Sequence, residues 1–113
     1  MLLMGPVDPL VREAMFSGIS HDVAVRESAA DGERLLDEAI RRGAVGIVTT
    51  RTDAETLLYR LPRSMLVIGI STRTPDVLVA RDGESRRLAN PKLEVLDDLI
   101  RRAAGYADGT SDD

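Results

Sequence analysis

The sequence lacks most of the side chains on which enzyme sites are commonly built. It has no cysteine, no tryptophan, a single histidine and only 3% aromatic residues. Disulfides, thiol catalysis and cysteine-ligated zinc are thereby excluded, and too few aromatic rings remain for a base-stacking platform. A lone histidine with no nucleophile beside it in the sequence is usually a surface group, so we expect no catalytic role for His21. This composition favours a protein that binds over one that catalyses, and no cofactor or metal is expected.

Long hydrophobic runs are missing as well. The longest apolar stretch, Met65 to Ile70, is far shorter than the roughly 18–20 residues that a membrane-spanning helix needs. No basic segment with a small-residue cleavage site precedes Leu2, so we expect a cytoplasmic protein without a membrane partner. With 113 residues, of which 43% are hydrophobic and 30% charged, the chain has the size and composition of one small globular domain.

An excess of positive charge is also absent. The net charge is −4, and three of the 19 acidic residues lie in the segment 106–113, so residues 1–105 carry 16 acids against 15 bases. Binding to nucleic acid needs a surplus of Lys and Arg, so we expect no nucleic-acid partner for this domain. Residues 106–113, YADGTSDD, have almost nothing to bury and are predicted to form a disordered acidic tail or linker.

What is present is an alternation of strand-like and helix-like segments, which predicts an α/β fold over residues 1–105. Helix starts are indicated by Asp8-Pro9, by Asp31 with Glu33, by Thr52 with Glu55 and by Asn90-Pro91. The predicted strands are Leu2–Met4, Asp22–Arg26, Ala44–Thr49, Met65–Ile70 and Asp76–Ala80.

The alternation changes after the fourth strand. Only Ser71–Pro75 separates it from the fifth, whereas a parallel crossover usually needs a dozen or more residues. We therefore predict that the fourth helix is missing or reduced to a turn. Asp82-Gly83 between two β-rich segments is a two-residue turn signal, and it predicts an antiparallel hairpin at the C-terminal edge of the sheet.

Three strings, taken in order, carry a family resemblance: DPLVREAM after the first strand, SAADGERLLDEAI on the second strand and its helix, and VIGIST on the fourth strand. Over about residues 2–104 the chain resembles the receiver domain of two-component response regulators. The resemblance implies a flavodoxin-like, doubly wound and largely parallel sheet with strand order 2-1-3-4-5, and a functional crevice at the carboxyl ends of strands one and three.

Receivers phosphorylate themselves on an aspartate that ends strand three, with an acidic pair after strand one holding Mg²⁺, a hydroxyl on strand four and a lysine on strand five. Here Pro6 and Val7 occupy the positions of the acidic pair, and strand three ends in Thr49-Thr50 in place of the aspartate. Ser71 matches the hydroxyl, while Ala80 and Arg81 are the residues nearest to the lysine position. We interpret the chain as a degenerate pseudo-receiver that is not an enzyme.

Two carboxylates lie near these strand ends, but each has a structural explanation. Asp8 precedes Pro9 and is interpreted as the N-cap of the first helix. Asp53 falls in the first turn of the third helix, where a negative charge is favourable. Neither is expected to hold Mg²⁺, which prefers a cluster of oxygen ligands.

Hydroxyl and guanidinium groups follow both the third and the fourth strand. If these strands are neighbours, the groups face the crevice and suit a phosphate, carboxylate or nucleotide-like ligand. The alternative is that the threonines cap helices and the arginines are simply solvated. The candidate ligand-binding residues are Thr49, Thr50, Arg51, Ser71, Thr72 and Arg73.

The missing helix suggests a second kind of site. Without it, apolar side chains of strands four and five would be poorly covered, and such surfaces usually lie in interfaces. We expect a protein partner or, more specifically, a homodimer, and a role in signal transduction or transcription regulation by protein–protein interaction. The alternative function is a small-ligand sensor. The candidate interface residues are Val67, Ile68, Val77, Leu78 and Val79.

Overall fold

A computed structural model describes residues 1–19, 23–71 and 73–105. Strands and helices alternate until β4, after which two strands follow one another before the last helix. The elements are β1 Leu2–Met4, α1 Pro9–Gly18, β2 Val25–Glu27, α2 Gly32–Arg42, β3 Gly46–Thr50, α3 Arg51–Leu57, β4 Leu66–Ile70, β5 Val77–Arg81, β6 Glu84–Leu88 and α4 Leu93–Ala103. His21, Thr72 and the predicted tail 106–113 lie outside the described residues.

All six strands form one sheet in the order β2-β1-β3-β4-β5-β6. Strands β1 to β4 pair in parallel, whereas β5 pairs antiparallel with both β4 and β6. The prediction of an α/β fold is confirmed, but the sheet is mixed and not largely parallel. The reason is the short β4–β5 connection, whose described residues contain no helix and which turns the chain back on itself.

The predicted hairpin joins β5 to β6. Asp82 and Gly83 form its two-residue turn with φ of 57° and 81°. Positive φ at both central residues is what a type I′ turn requires, and this turn has the twist of the flanking strands. The Asp82 N–H also donates to the Arg63 carbonyl at 2.8 Å, which fixes the turn against the loop before β4.

Local sequence signals define some helix ends correctly and others not. Asp8 caps α1 by accepting the Leu10 N–H at 2.8 Å, and α2 stops at Gly43, which adopts the left-handed conformation. The cap of α3, however, is Thr50, which accepts the Asp53 N–H at 3.2 Å, and not Thr52. The last helix begins at Leu93 without a side-chain cap, so the predicted start at Asn90-Pro91 is wrong.

Helices cover both faces of the sheet and divide the core in two. On one face, α1 and α4 contribute Met15, Leu96 and Ile100 to a cluster with β1, β3, β4 and β5. On the other face, α2 and α3 contribute Leu35 and Leu57 to a second cluster. None of the helices among the described residues is long and apolar enough to span a membrane.

The expectation that strands four and five are poorly covered is wrong. The α4 cluster takes up one face of these strands, and Met65, α3 and partly buried leucines of the α3–β4 connection take up the other. No side chain of the predicted interface is more than 9% exposed. The residues that were expected to be poorly covered and are buried are Val67, Ile68, Val77, Leu78 and Val79.

Candidate functional site

The carboxyl ends of β3 and β4 lie side by side, with Thr50 paired to Ile70 in the parallel ladder. Beyond this pair the surface forms an open depression of about 480 Å³. The structure thus brings four of the predicted ligand-binding residues to one place. The lining residues are Thr50, Arg51, Thr52, Ile70, Ser71 and Arg73.

One further predicted residue, Thr49, does not line the depression. Thr49 is only 1% exposed, because its strand is covered by helices on both faces up to that position. Its side chain is therefore buried below the surface, and its part in ligand binding stays a prediction. Thr72 is one of the residues that the structure does not describe.

Two of the three hydroxyl groups that line the depression already have structural partners. The Thr50 hydroxyl oxygen accepts the Asp53 N–H at 3.2 Å, and the Ser71 oxygen accepts the Arg73 N–H at 3.1 Å. A hydroxyl that accepts a hydrogen bond can still donate its own proton. Both groups can therefore orient the local backbone and also offer a donor to a bound anion.

The two arginines differ in how they are held. Arg51 lies 3.6 Å from the Glu55 carboxylate one helical turn later, with its side chain 21% exposed. Arg73 is exposed at the opposite rim. The Glu55 carboxylate orients one guanidinium, and the other can adjust its position. Together they suit a small anion, which would accept hydrogen bonds from both.

A glycine that the sequence analysis passes over positions this end of α3. A Cβ atom at Gly69 would lie 2.6 Å from the Ala54 Cβ and 3.1 Å from the Arg51 Cα. Only glycine lets the helix approach β4 so closely, and this approach places Arg51 beside Ser71. The signal was available in the sequence, because a glycine inside a strand often marks a close backbone approach.

The nearby carboxylates serve structural purposes. Asp8 caps α1, and Asp53 accepts the Gly32 N–H at 3.2 Å, which ties the start of α2 to α3. Gly32 has a φ of +52°, a conformation that glycine adopts readily. Among the described residues no three His, Cys, Asp or Glu side chains are grouped so that they could hold a metal ion.

The reversal of β5 changes the geometry of this site relative to a receiver. Ala80 pairs with Val67, near the start of β4, because β5 runs antiparallel. Ala80 and Arg81 therefore lie at the end of the sheet away from Ser71. The two residues nearest in sequence to the receiver lysine cannot reach the depression.

The shifted pKa values belong to surface groups outside the depression. A side-chain hydrogen bond from Arg12 and the charge of that arginine lower the pKa of Glu27. The Ser28 hydroxyl, at 2.6 Å, and then Arg42 lower the pKa of Glu38. The Arg12–Glu27 and Ser28–Glu38 contacts join helices to the end of β2, whereas the Arg42–Glu38 ion pair lies within α2.

Comparison with models of protein families, with curated proteins and with solved structures finds no match to this chain.

Proposed function

We propose that this chain is a non-catalytic, receiver-like regulatory module with a reduced flavodoxin-like fold, which acts through protein–protein interaction in signal transduction or gene regulation. In this proposal the module is controlled by binding and not by aspartyl phosphorylation. Its strand order β2-β1-β3-β4-β5 agrees with the order that the receiver resemblance implies, although β5 is reversed.

One observation carries the proposal: among the residues that the structure describes, no carboxylate stands where phosphoryl transfer would need a nucleophile. The strand β3 ends in Thr50, whose hydroxyl caps α3, and Pro6 and Val7 follow β1. A carboxylate nucleophile and hard oxygen ligands for Mg²⁺ are both required for the receiver reaction. Asp8 and Asp53, the nearest acids, are engaged by backbone N–H groups.

Exposure to acetyl phosphate and Mg²⁺ tests this proposal directly. We expect the intact mass of the protein to stay unchanged under conditions in which an active receiver, treated in parallel, gains one phosphoryl group. A hydroxylamine-sensitive adduct on this chain would contradict the proposal. Mapping such an adduct to Asp8 or Asp53 would show which carboxylate had been misinterpreted.

A second candidate function is a sensor of small anions, and the depression between β3 and β4 favours it. Two arginines and three hydroxyl side chains line it, and Gly69 keeps the elements that carry them in contact. A phosphate or carboxylate group would find charge and hydrogen-bond donors together. The two functions are compatible, since ligand binding can regulate an interaction module.

Isothermal titration with nucleotides and phosphorylated metabolites tests the sensor function. We expect binding with Kd below about 1 mM, the level that corresponds to about 4 kcal/mol of binding free energy. Arg73→Gln should weaken it about tenfold, as the loss of one charged hydrogen bond implies. Arg87→Gln, on the remote strand β6, is the matched control. If no compound binds, the sensor function is eliminated and the interaction module remains.

A further inference from the structure

The strand β6 leaves one long edge of the sheet open. It pairs with β5 on one side only, and residues Glu84 to Arg87 are all exposed. An edge strand presents unpaired backbone N–H and C=O groups, which are a template for another strand. At five residues, β6 is longer than the other edge strand, β2, which has three.

The turn determines which backbone groups point outward. A two-residue turn is closed by a hydrogen-bonded pair, which here is Arg81 with Glu84. Because hydrogen-bonded and non-hydrogen-bonded pairs alternate along an antiparallel ladder, Glu84 and Arg86 direct their backbone groups toward β5. Ser85 and Arg87 direct theirs toward the open edge.

The cross-strand partners show which face each side chain occupies. Arg86 pairs with Val79, which belongs to the core cluster under α4, so Glu84 and Arg86 lie on the α4 face. Ser85 pairs with Ala80 and lies on the opposite face. None of the ion pairs among the described residues uses Glu84 or Arg86.

We propose that β6 pairs antiparallel with β6 of a second copy of this chain, with Ser85 of both copies at the two-fold axis. A two-fold axis perpendicular to the sheet keeps the α4 faces on one side. In this register Glu84 of each copy lies opposite Arg86 of the other, which gives two reciprocal ion pairs. The two sheets become one continuous sheet of twelve strands.

Charge selects this register over its neighbours. An axis at Glu84, at Arg86 or at Arg87 would place two identical charges directly opposite each other, which destabilises a strand pair. An axis at Ser85 avoids this and also joins residues whose backbone groups point outward. The charges and the hydrogen-bonding pattern therefore favour the same register.

The dimer deepens the proposed interaction function by naming a partner, and to that extent it rests on that function. A single pair of five-residue edges buries less than the roughly 1,200 Å² of a standard stable interface. We therefore expect a weak dimer with a micromolar Kd, which becomes weaker as salt screens the exposed charges. This contact lies on β6, whereas the sequence predicted that a partner would bind through the side chains of strands four and five.

Charge-reversal variants test the register by sedimentation velocity over the micromolar to millimolar range. Arg86→Glu and Glu84→Arg each convert both ion pairs into repulsions, and each should weaken the dimer about tenfold. The two variants mixed together should associate, because acidic and basic edges then face each other. The double variant E84R/R86E should dimerise like the original chain.

A backbone variant tests the edge independently of charge. Ser85→Pro removes an N–H that points away from β5, so the hairpin should persist while the dimer is lost. Ser85→Ala keeps the N–H and is the control, and circular dichroism checks that both variants remain folded. A protein that stays monomeric at all concentrations would overturn the proposal, as would a dimer that tolerates both Ser85→Pro and Arg86→Glu. Neither result would bear on phosphorylation, which the acetyl phosphate assay measures separately.

Discussion

The four parallel strands and the β5–β6 hairpin belong to one sheet but are stabilised in different ways. In β1, β3 and β4 nearly every side chain is buried, because helices cover both faces. In β6 four of five residues are exposed and three of them are charged. The parallel part is held by its core, whereas β6 is held by backbone pairing to β5 and by its turn.

This difference teaches where the molecule can offer a surface. Side chains of β1, β3 and β4 have their partners inside the chain, so among the described residues these three strands offer a surface mainly at their ends. The hairpin adds an open backbone edge and charges that are not paired within the described part of the chain. The candidate ligand site and the proposed dimer contact follow this division.

Truncation of a side chain should give the largest difference in stability between the parallel strands and the hairpin. Ile68, in β4, is completely buried, and Ile68→Ala should lower the free energy of unfolding by about 2–5 kcal/mol. Arg87→Ala in β6 should change it by less than about 0.5 kcal/mol, since this side chain is exposed. Urea denaturation of both variants, at a concentration where the protein is monomeric, provides the comparison. Equal losses would show that the hairpin is as tightly packed as the parallel strands.

Two glycines give a smaller contrast. Gly69→Ala introduces a Cβ that would collide with Ala54, and we expect a loss of about 1–3 kcal/mol with a displacement of α3. Gly83→Ala meets no atom within 4 Å but must keep a φ of +81°, which should cost about 1 kcal/mol. Thermal unfolding ranks the two. NMR shifts at Arg51 should move only in Gly69→Ala, and their absence would contradict the positioning role of Gly69.

The smallest effect concerns acid stability. Because the pKa of Glu38 is lowered in the folded chain, its contribution is present above the unfolded pKa and is lost as pH falls through the folded pKa. Ser28→Ala removes the first cause and should raise this pKa toward its ordinary value. Carboxyl ¹³C titration measures the shift. Ser85→Ala, on the hairpin, should leave Glu38 unaffected, and a shift there would mean that the two regions are coupled.

Much of the fold could be predicted from local signals, because these act over a few residues. Asp8-Pro9, Gly43 and Asp82-Gly83 each determine a backbone conformation that needs no distant partner. The start of α3 could not be predicted in this way, since Thr50 and Thr52 both carry a hydroxyl that can accept a backbone N–H three residues later. Only the end of the β3 ladder places the cap at Thr50.

The candidate site was predictable in part for the same reason. Strand adjacency was enough to bring Thr50, Arg51, Ser71 and Arg73 together. The burial of Thr49 depended on how far the covering helices extend, and the coverage of β4 and β5 depended on the position of α4. Such long-range packing has no signature in the sequence of the strand itself.

The short β4–β5 connection has a consequence for how the chain folds. Strands β4, β5 and β6 follow each other directly, so their pairing closes short loops, whereas each parallel pair must enclose a crossover helix. Short loops lose less entropy on closure, and contacts between residues close in sequence form faster. We expect the three-stranded meander to form early and to serve as the edge on which β3, β1 and β2 assemble. In a φ-value study, Val79 should then give a higher value than Leu3.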